Sequence, residues 1–152
     1  MTLFHTSPAT ITQIDKDGRF GEFLFFSPDV YVTTAGEHVT YAVEIDDEEL
    51  IDASSLFYHA DAEKLQPIVS RLAARLGISE ELAEDLISEK ADVFDVESID
   101  ADDAAEISWS IQRITARCAK VLGFRGVAVR DETGTSYMID MLNRASELKL
   151  IA

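Results

Sequence analysis

From Asp61 onward the spacing of the apolar residues changes, and that change limits the folds open to the chain. A helix brings residues three and four apart onto one face, whereas a strand brings alternate residues together. In "DAEKLQPIVSRLAARLG" the apolar residues Leu65, Ile68, Val69, Leu72 and Leu76 recur at three and four, and Gly77 supplies a stop. Pro67 belongs in the first turn, where its missing N–H costs little, so the regular helix should begin near Leu65. Ser79 is placed to cap "EELAEDLISEK" as a second helix, with Glu80 and Glu81 at its positive end. A full capping box is absent because Leu82 stands where an acid would be needed. The longest helix is expected over "DAAEISWSIQRITARCAKVLGF", with Ile107, Ile111, Ile114, Cys118 and Leu122 on one face and Gly123 as its stop.

Either side of this helical stretch the pattern is that of strands. Thr2 to His5 reads as a strand ending in a polar turn at Thr6, Ser7 and Pro8, and "ITQID", Ile11 to Asp15, leads into a loop. "EFLFFS", Glu22 to Ser27, is bounded by Gly21 and Pro28 and suits a buried central strand. "PDVYVTTAGEH" fits a short helix or a loop, and "TYAVEID", Thr40 to Asp46, alternates as another strand. After the long helix come "RGVAVRD", a turn at Gly134, "TSYMID" and "LKLIA". Strands at both ends with helices between them predict an α+β fold in a single domain, residues 1–152, with no repeat or linker to divide it. A chain of this length can bury a sizeable core.

Charge narrows the partners. The 29 acids against 13 bases give a net charge of −16. Such a field repels phosphate backbones and attracts basic protein surfaces, so direct nucleic-acid binding is not expected. Residues 84–106 carry ten acids against Lys90 alone, which reads either as a solvated surface or as an electrostatic docking face. The one cysteine, Cys118, forms no internal disulfide, which fits a reducing compartment. "MTLFHTSPATI" lacks the basic head and apolar run of a signal peptide, and no membrane helix is expected, so the location expected is cytoplasmic. His5, His38 and His59 have no partner at ligand spacing, and no metal is expected. The Walker lysine motif, GxGxxG and GxSxG are all absent.

Residues able to carry chemistry fall at strand ends. His5, Thr6 and Ser7 close the first strand, Ser27 closes the aromatic one, and Asp131 and Glu132 precede the turn glycine of a hairpin. Each has an ordinary structural use, and a "DETG" turn is good hairpin chemistry by itself. In order, however, "LFHTS", "FLFFSPD" and "VAVRDETGTSY" resemble the three elements that line the NAD cleft of the ADP-ribosyltransferase fold, a mixed split β-structure with inserted helices. A closer pattern runs LFHxS, I-x-x-I, G-x-FG and "GEH", then "QR", "LGF" and "DETGTSY". It is similar to the phage anti-CRISPR ADP-ribosyltransferases, and residues 2–37 and 111–137 carry it, whereas 46–105 show little that matches.

This resemblance implies an NAD-dependent mono-ADP-ribosyltransferase whose target is a subunit of the type I-F CRISPR surveillance complex, with loss of target DNA recognition as the outcome. In a phage-encoded protein the site of action would be the host bacterial cytoplasm. It also implies roles. Asp131 matches the catalytic carboxylate, with Glu132 as the alternative acid or the group orienting the acceptor; the wider superfamily more often uses Glu. His5 would bind a hydroxyl of the adenosine ribose, and the Thr6 backbone, where the family commonly has Gly, would hold the nicotinamide carboxamide. Ser7 belongs with these cofactor-binding residues, and Ser27 would act near the nicotinamide ribose. Phe26, Tyr31 and Tyr41 are the candidates for stacking. Water in place of the acceptor would give a glycohydrolase. Two other readings stay open: an ADP-ribosylating toxin with a partner antitoxin, and a noncatalytic acidic inhibitor that mimics nucleic acid.

Overall fold

The computed structural model describes residues 1–7, 11, 22–29, 39–131, 134–142 and 144–151, with Asp131 described by its backbone. "ITQID" beyond Ile11 and most of "PDVYVTTAGEH" lie outside these residues. The strands are β1 (Thr2–Ser7), β2 (Phe23–Phe26), β3 (Val39–Glu44), β4 (Leu50–Asp52), β5 (Gly126–Asp131), β6 (Gly134–Asp140) and β7 (Lys149–Leu150). Between β4 and β5 come α1 (Gln66–Leu76), α2 (Glu80–Ile87) and α3 (Ala101–Val121).

Local chemistry sets the helix ends. Pro67 occupies the first turn of α1, and Gly77 ends it in the left-handed region at φ 66°. The Ser79 hydroxyl accepts from the Leu82 N–H at 3.1 Å to start α2. That helix is shorter than the pattern suggests: Ser88 Oγ donates back to Glu84 O at 2.8 Å, and Glu89 takes a left-handed φ of 65°, so the chain turns away. Asp100 caps α3 by accepting from the Asp102 N–H at 3.1 Å.

The strands form two sheets, one ordered β1-β3-β7 and one ordered β2-β6-β5-β4. All pairings are antiparallel except β4 with β5, so the β-structure is mixed. The three helices pack against one face of the four-stranded sheet and enclose the larger core, in which Phe23, Val127, Val129 and Met138 meet Val69, Leu72, Cys118 and Ala119. A smaller core of Leu3, Phe26, Val43, Ile45, Ile139 and Met141 fills the other side. Met138 and Ile139, adjacent in β6, fall in different cores because successive strand side chains point to opposite faces.

Two expectations are corrected by this arrangement. "EFLFFS" is not central in its sheet: β2 is an edge strand. Its continuous apolar run arises because Phe23 and Phe25 face the helical core while Leu24 and Phe26 face the smaller one. The first strand also continues through Thr6 and Ser7, which pair with Thr40 and Val39 and do not form a polar turn. The short strand β4 carries no signal of its own in three residues.

Gly126 lies between β4 and β6, opposite Leu50 and Ile139. A Cβ there would stand 2.5 Å from Ile139 Cδ1 and 2.8 Å from Met138 O, and a backbone carbonyl inside a sheet cannot move aside. Gly126→Ala is therefore expected to lower stability by about 1–3 kcal/mol in urea denaturation. An unchanged midpoint would mean that β4 does not close on β5 as described.

Candidate active site

The two sheets meet at one place. Phe4 N–H donates to Ser27 O at 2.8 Å and Ser27 N–H donates to Phe4 O at 2.9 Å, so the end of β2 touches the outer edge of β1. One residue further along β1, His5 Nδ1 lies 2.6 Å from Phe25 O. A carbonyl only accepts, so Nδ1 carries the proton and the lone pair of the neutral ring is on Nε2. The ring also tilts at 52° against Phe26, with centroids 5.6 Å apart.

Burial pushes the His5 pKa below its ordinary value of 6.5, outweighing the bond to Phe25, which acts the other way. The imidazole is therefore neutral at pH 7. Around it, Thr6 is half-buried and Ser7 buried, each with interactions of its own. Ser27 Oγ donates to Asp29 O at 2.5 Å, which turns the chain after β2. Phe26 is 1% exposed and belongs to the smaller core. Tyr41 pairs with His5 across β1 and β3, is buried, and accepts from the Ile11 N–H at 2.8 Å.

The hairpin that bears Asp131 approaches the same end of the structure. β2 and β5 are each antiparallel to β6 between them, so they run in one direction, and the Ser27 end of β2 lies at the Asp131 end of β5. Two strand spacings, about 10 Å, separate the strands, and Asp131 lies two residues further along β5 than the level of Ser27. Asp131 and Gly134 form the last pair of the ladder, with Gly134 at φ 125°. The fold thus brings His5, Phe26 and Ser27 together, sets Tyr41 beside His5, and holds the Asp131 backbone two strands away. Glu132 and Tyr31 lie outside the described residues.

Two positioning groups are invisible in sequence patterns. One is the Phe25 carbonyl, which orients His5. The other is Glu89, whose two carboxylate oxygens each lie 3.1 Å from the Arg130 N–H. β4 stops pairing at Ala128, so the Glu89 carboxylate takes over the edge of β5 one residue before Asp131. Cavities of about 410 and 240 Å³ lie on either side of Glu89, Lys90, Val129 and Arg130, and neither is lined by His5 or Ser27. Cys118 is buried and its thiol is pushed up to about 12, so it is chemically inert. Among the described residues, no group of three or more His, Cys, Asp or Glu could hold a metal, and no helix is long and apolar enough to cross a membrane.

A lowered His5 pKa fixes the sign of a pH effect. The unfolded chain takes up the proton near 6.5 and the folded chain only at lower pH, so this contribution to stability is complete above 6.5 and lost as pH falls through the folded value. An imidazole NMR titration should show His5 titrating below 6.5, with stability falling from pH 7 to 5 less steeply in His5→Gln than in the parent. A His5 midpoint above 6.5 would contradict the burial described.

Comparison with known proteins adds to this geometry. No curated protein matches the chain. A solved structure described as the crystal structure of an anti-CRISPR protein superposes with a TM-score of 0.57 at 24% identity, covering 91% of this chain and 88% of that one, which is a likeness of fold. The family model of the anti-CRISPR type I-F ADP-ribosyltransferase AcrIF11 matches residues 1–146. The α+β fold with its two sheets agrees with this match, and the chain belongs to this family of ADP-ribosyltransferases.

Proposed function

We propose that the protein transfers one ADP-ribose from NAD to a subunit of the type I-F CRISPR surveillance complex and so blocks recognition of target DNA, the 152 residues acting as one domain. The observation that carries the reading is the junction of the two sheets. A neutral His5, held by Phe25 O, offers Nε2 to a ribose hydroxyl at the end of the fold where the Asp131 hairpin begins. The family membership supplies the reaction class.

The bond between nicotinamide and C1 of the ribose breaks with its electron pair leaving on nicotinamide, while C1 gains the acceptor atom of the target, whose proton is released to solvent. Positive charge develops on the sugar, so a carboxylate facing it stabilises the transition state more than the ground state. Asp131 is assigned this role and Glu132 is its alternative. Thr6 would hold the carboxamide through its backbone, with Ser7 and Ser27 lining the site. Phe26 and Tyr41 are buried, so contrary to expectation they back the site without offering a stacking face, and Tyr31 is assigned the stacking role.

The acidic segment fits a steering role better than a purely inhibitory one. Asp92 and Asp100 accept from the backbone N–H groups of Phe94 and Asp102, so part of the acidity is local capping. Glu97, Asp102, Asp103 and Glu106 are exposed, where they can attract a basic target.

The test is incubation of the protein with labelled NAD and purified surveillance complex, alongside calorimetric titration with NAD. Asp131→Ala is expected to lower labelling at least about a hundredfold while NAD still binds. Full activity in that variant and its loss in Glu132→Gln would transfer the role to Glu132. A wild-type protein that binds no NAD and labels nothing would end the proposal.

A further inference from the structure

On a chain with a net charge of −16, four of the 13 basic residues line one groove. Arg71 and Arg75 stand one turn apart on α1, and Arg113 and Arg117 one turn apart on α3. The groove between these helices holds about 200 Å³, and its apolar surface comes from Ile68, Leu72 and Ile114. Arg71, Arg75 and Arg117 are exposed and Arg113 half-buried. Arg75 donates to Ser110 Oγ at 2.9 Å, but among the described residues none of the four forms an ion pair.

That arrangement is unfavourable for the isolated protein. Like charges at i and i+4 repel on a helix, and here two such pairs face each other across a narrow space. Acids are plentiful in this chain, yet among the described residues none forms an ion pair with these arginines. The guanidinium fork matches carboxylate oxygens in pairs, so an external anion would relieve the repulsion.

The surroundings select among anions. An extended phosphate backbone needs cations along a continuous track, but the stripe on α3 that carries Arg113 and Arg117 continues through Ser110 to Glu106, one turn beyond. A long polyanion would meet that acid and the negative field behind it. The apolar floor, moreover, offers nothing to phosphates. A partner with apolar side chains flanked by carboxylates satisfies both floor and rims.

We infer that the α1–α3 groove is a docking site for an acidic, apolar segment of a protein partner. This rests on the proposed transferase function only in taking the partner to be a protein that is modified. The site is separate from the NAD-binding residues and adds a contact opposite in sign to the steering by the acidic segment. Each patch alone would tolerate many partners; together they demand a surface carrying both charges in register.

The experiment uses the full chain carrying Asp131→Ala, so that it reads binding without chemistry. Its probes are a short fluorescent peptide with Glu and Asp flanking Leu and Phe at helical spacing, the same peptide with Gln and Asn for the acids, the same peptide with Ser for the apolar residues, and a single-stranded RNA oligonucleotide. Fluorescence anisotropy should show saturable binding of the first peptide, weakened at least about tenfold by Arg71→Glu with Arg113→Glu and by either peptide change. Arg71→Lys with Arg113→Lys should retain part of it. No saturable binding, binding unaffected by charge reversal, or tighter binding of the RNA would each overturn the inference. Circular dichroism of the reversed variant separates loss of docking from loss of fold; if it is unfolded, the lysine variant and peptide controls decide. In the NAD-labelling assay with wild-type Asp131, charge reversal should raise KM for the surveillance complex while leaving kcat unchanged. Absence of labelling in the parent would count against the transferase proposal and leave the peptide result standing.

Discussion

Two backbone hydrogen bonds, between Phe4 and Ser27, tie together two sheets that also share the smaller core. Their consequence is geometric: once Phe4 is fixed to the end of β2, His5 must lie against Phe25 and Phe26, and its ring can reach the Phe25 carbonyl. Among the described residues β1 pairs with β3 along its whole length and meets β2 through a single bridge, so the β-structure splits here. A split sheet leaves backbone ends and side chains exposed along an edge without leaving a whole strand unpaired. The candidate site is built around this opening.

Holding that junction still is the work of two cores and one ion group. β2 is buried on both faces, so it cannot slide without exposing aromatic side chains on one side or the other. Lys120, near the end of α3, lies 3.1 Å from Asp140 and 3.5 Å from Glu22, linking the helix to the start of β2 and the end of β6. Glu22 is buried and among the described residues its second carboxylate oxygen has no partner, so Lys120 is its main compensation there. Removing the lysine would leave that carboxylate buried without a cation, a costly change even though Lys120 itself is partly solvated.

Charge is distributed by function and not uniformly. Some acids of residues 84–106 cap backbone N–H groups, Glu89 closes the edge of β5, and others remain in solvent. Four of the eight arginines are gathered instead on the facing sides of α1 and α3. A single net charge hides this separation. For the proposed transfer to a protein target, patches of opposite sign would orient the encounter as well as accelerate it.

The sequence by itself determined what is local. The three helices, their stops at Gly77 and Gly123, the Ser79 cap and the late hairpin were legible because each depends on residues a few positions apart. Short motifs around His5, Ser27 and Asp131 were enough to indicate the family. Tertiary structure decided what depends on distant partners: that β2 is an edge strand buried on both sides, that β4 runs parallel to β5, and that Thr6 and Ser7 continue β1. It alone brought Phe25 O to His5, Glu89 to Arg130, and four arginines from two helices into one groove. Those contacts join residues between 20 and 46 positions apart, and spacing along a chain contains no information about which distant segments will close on each other.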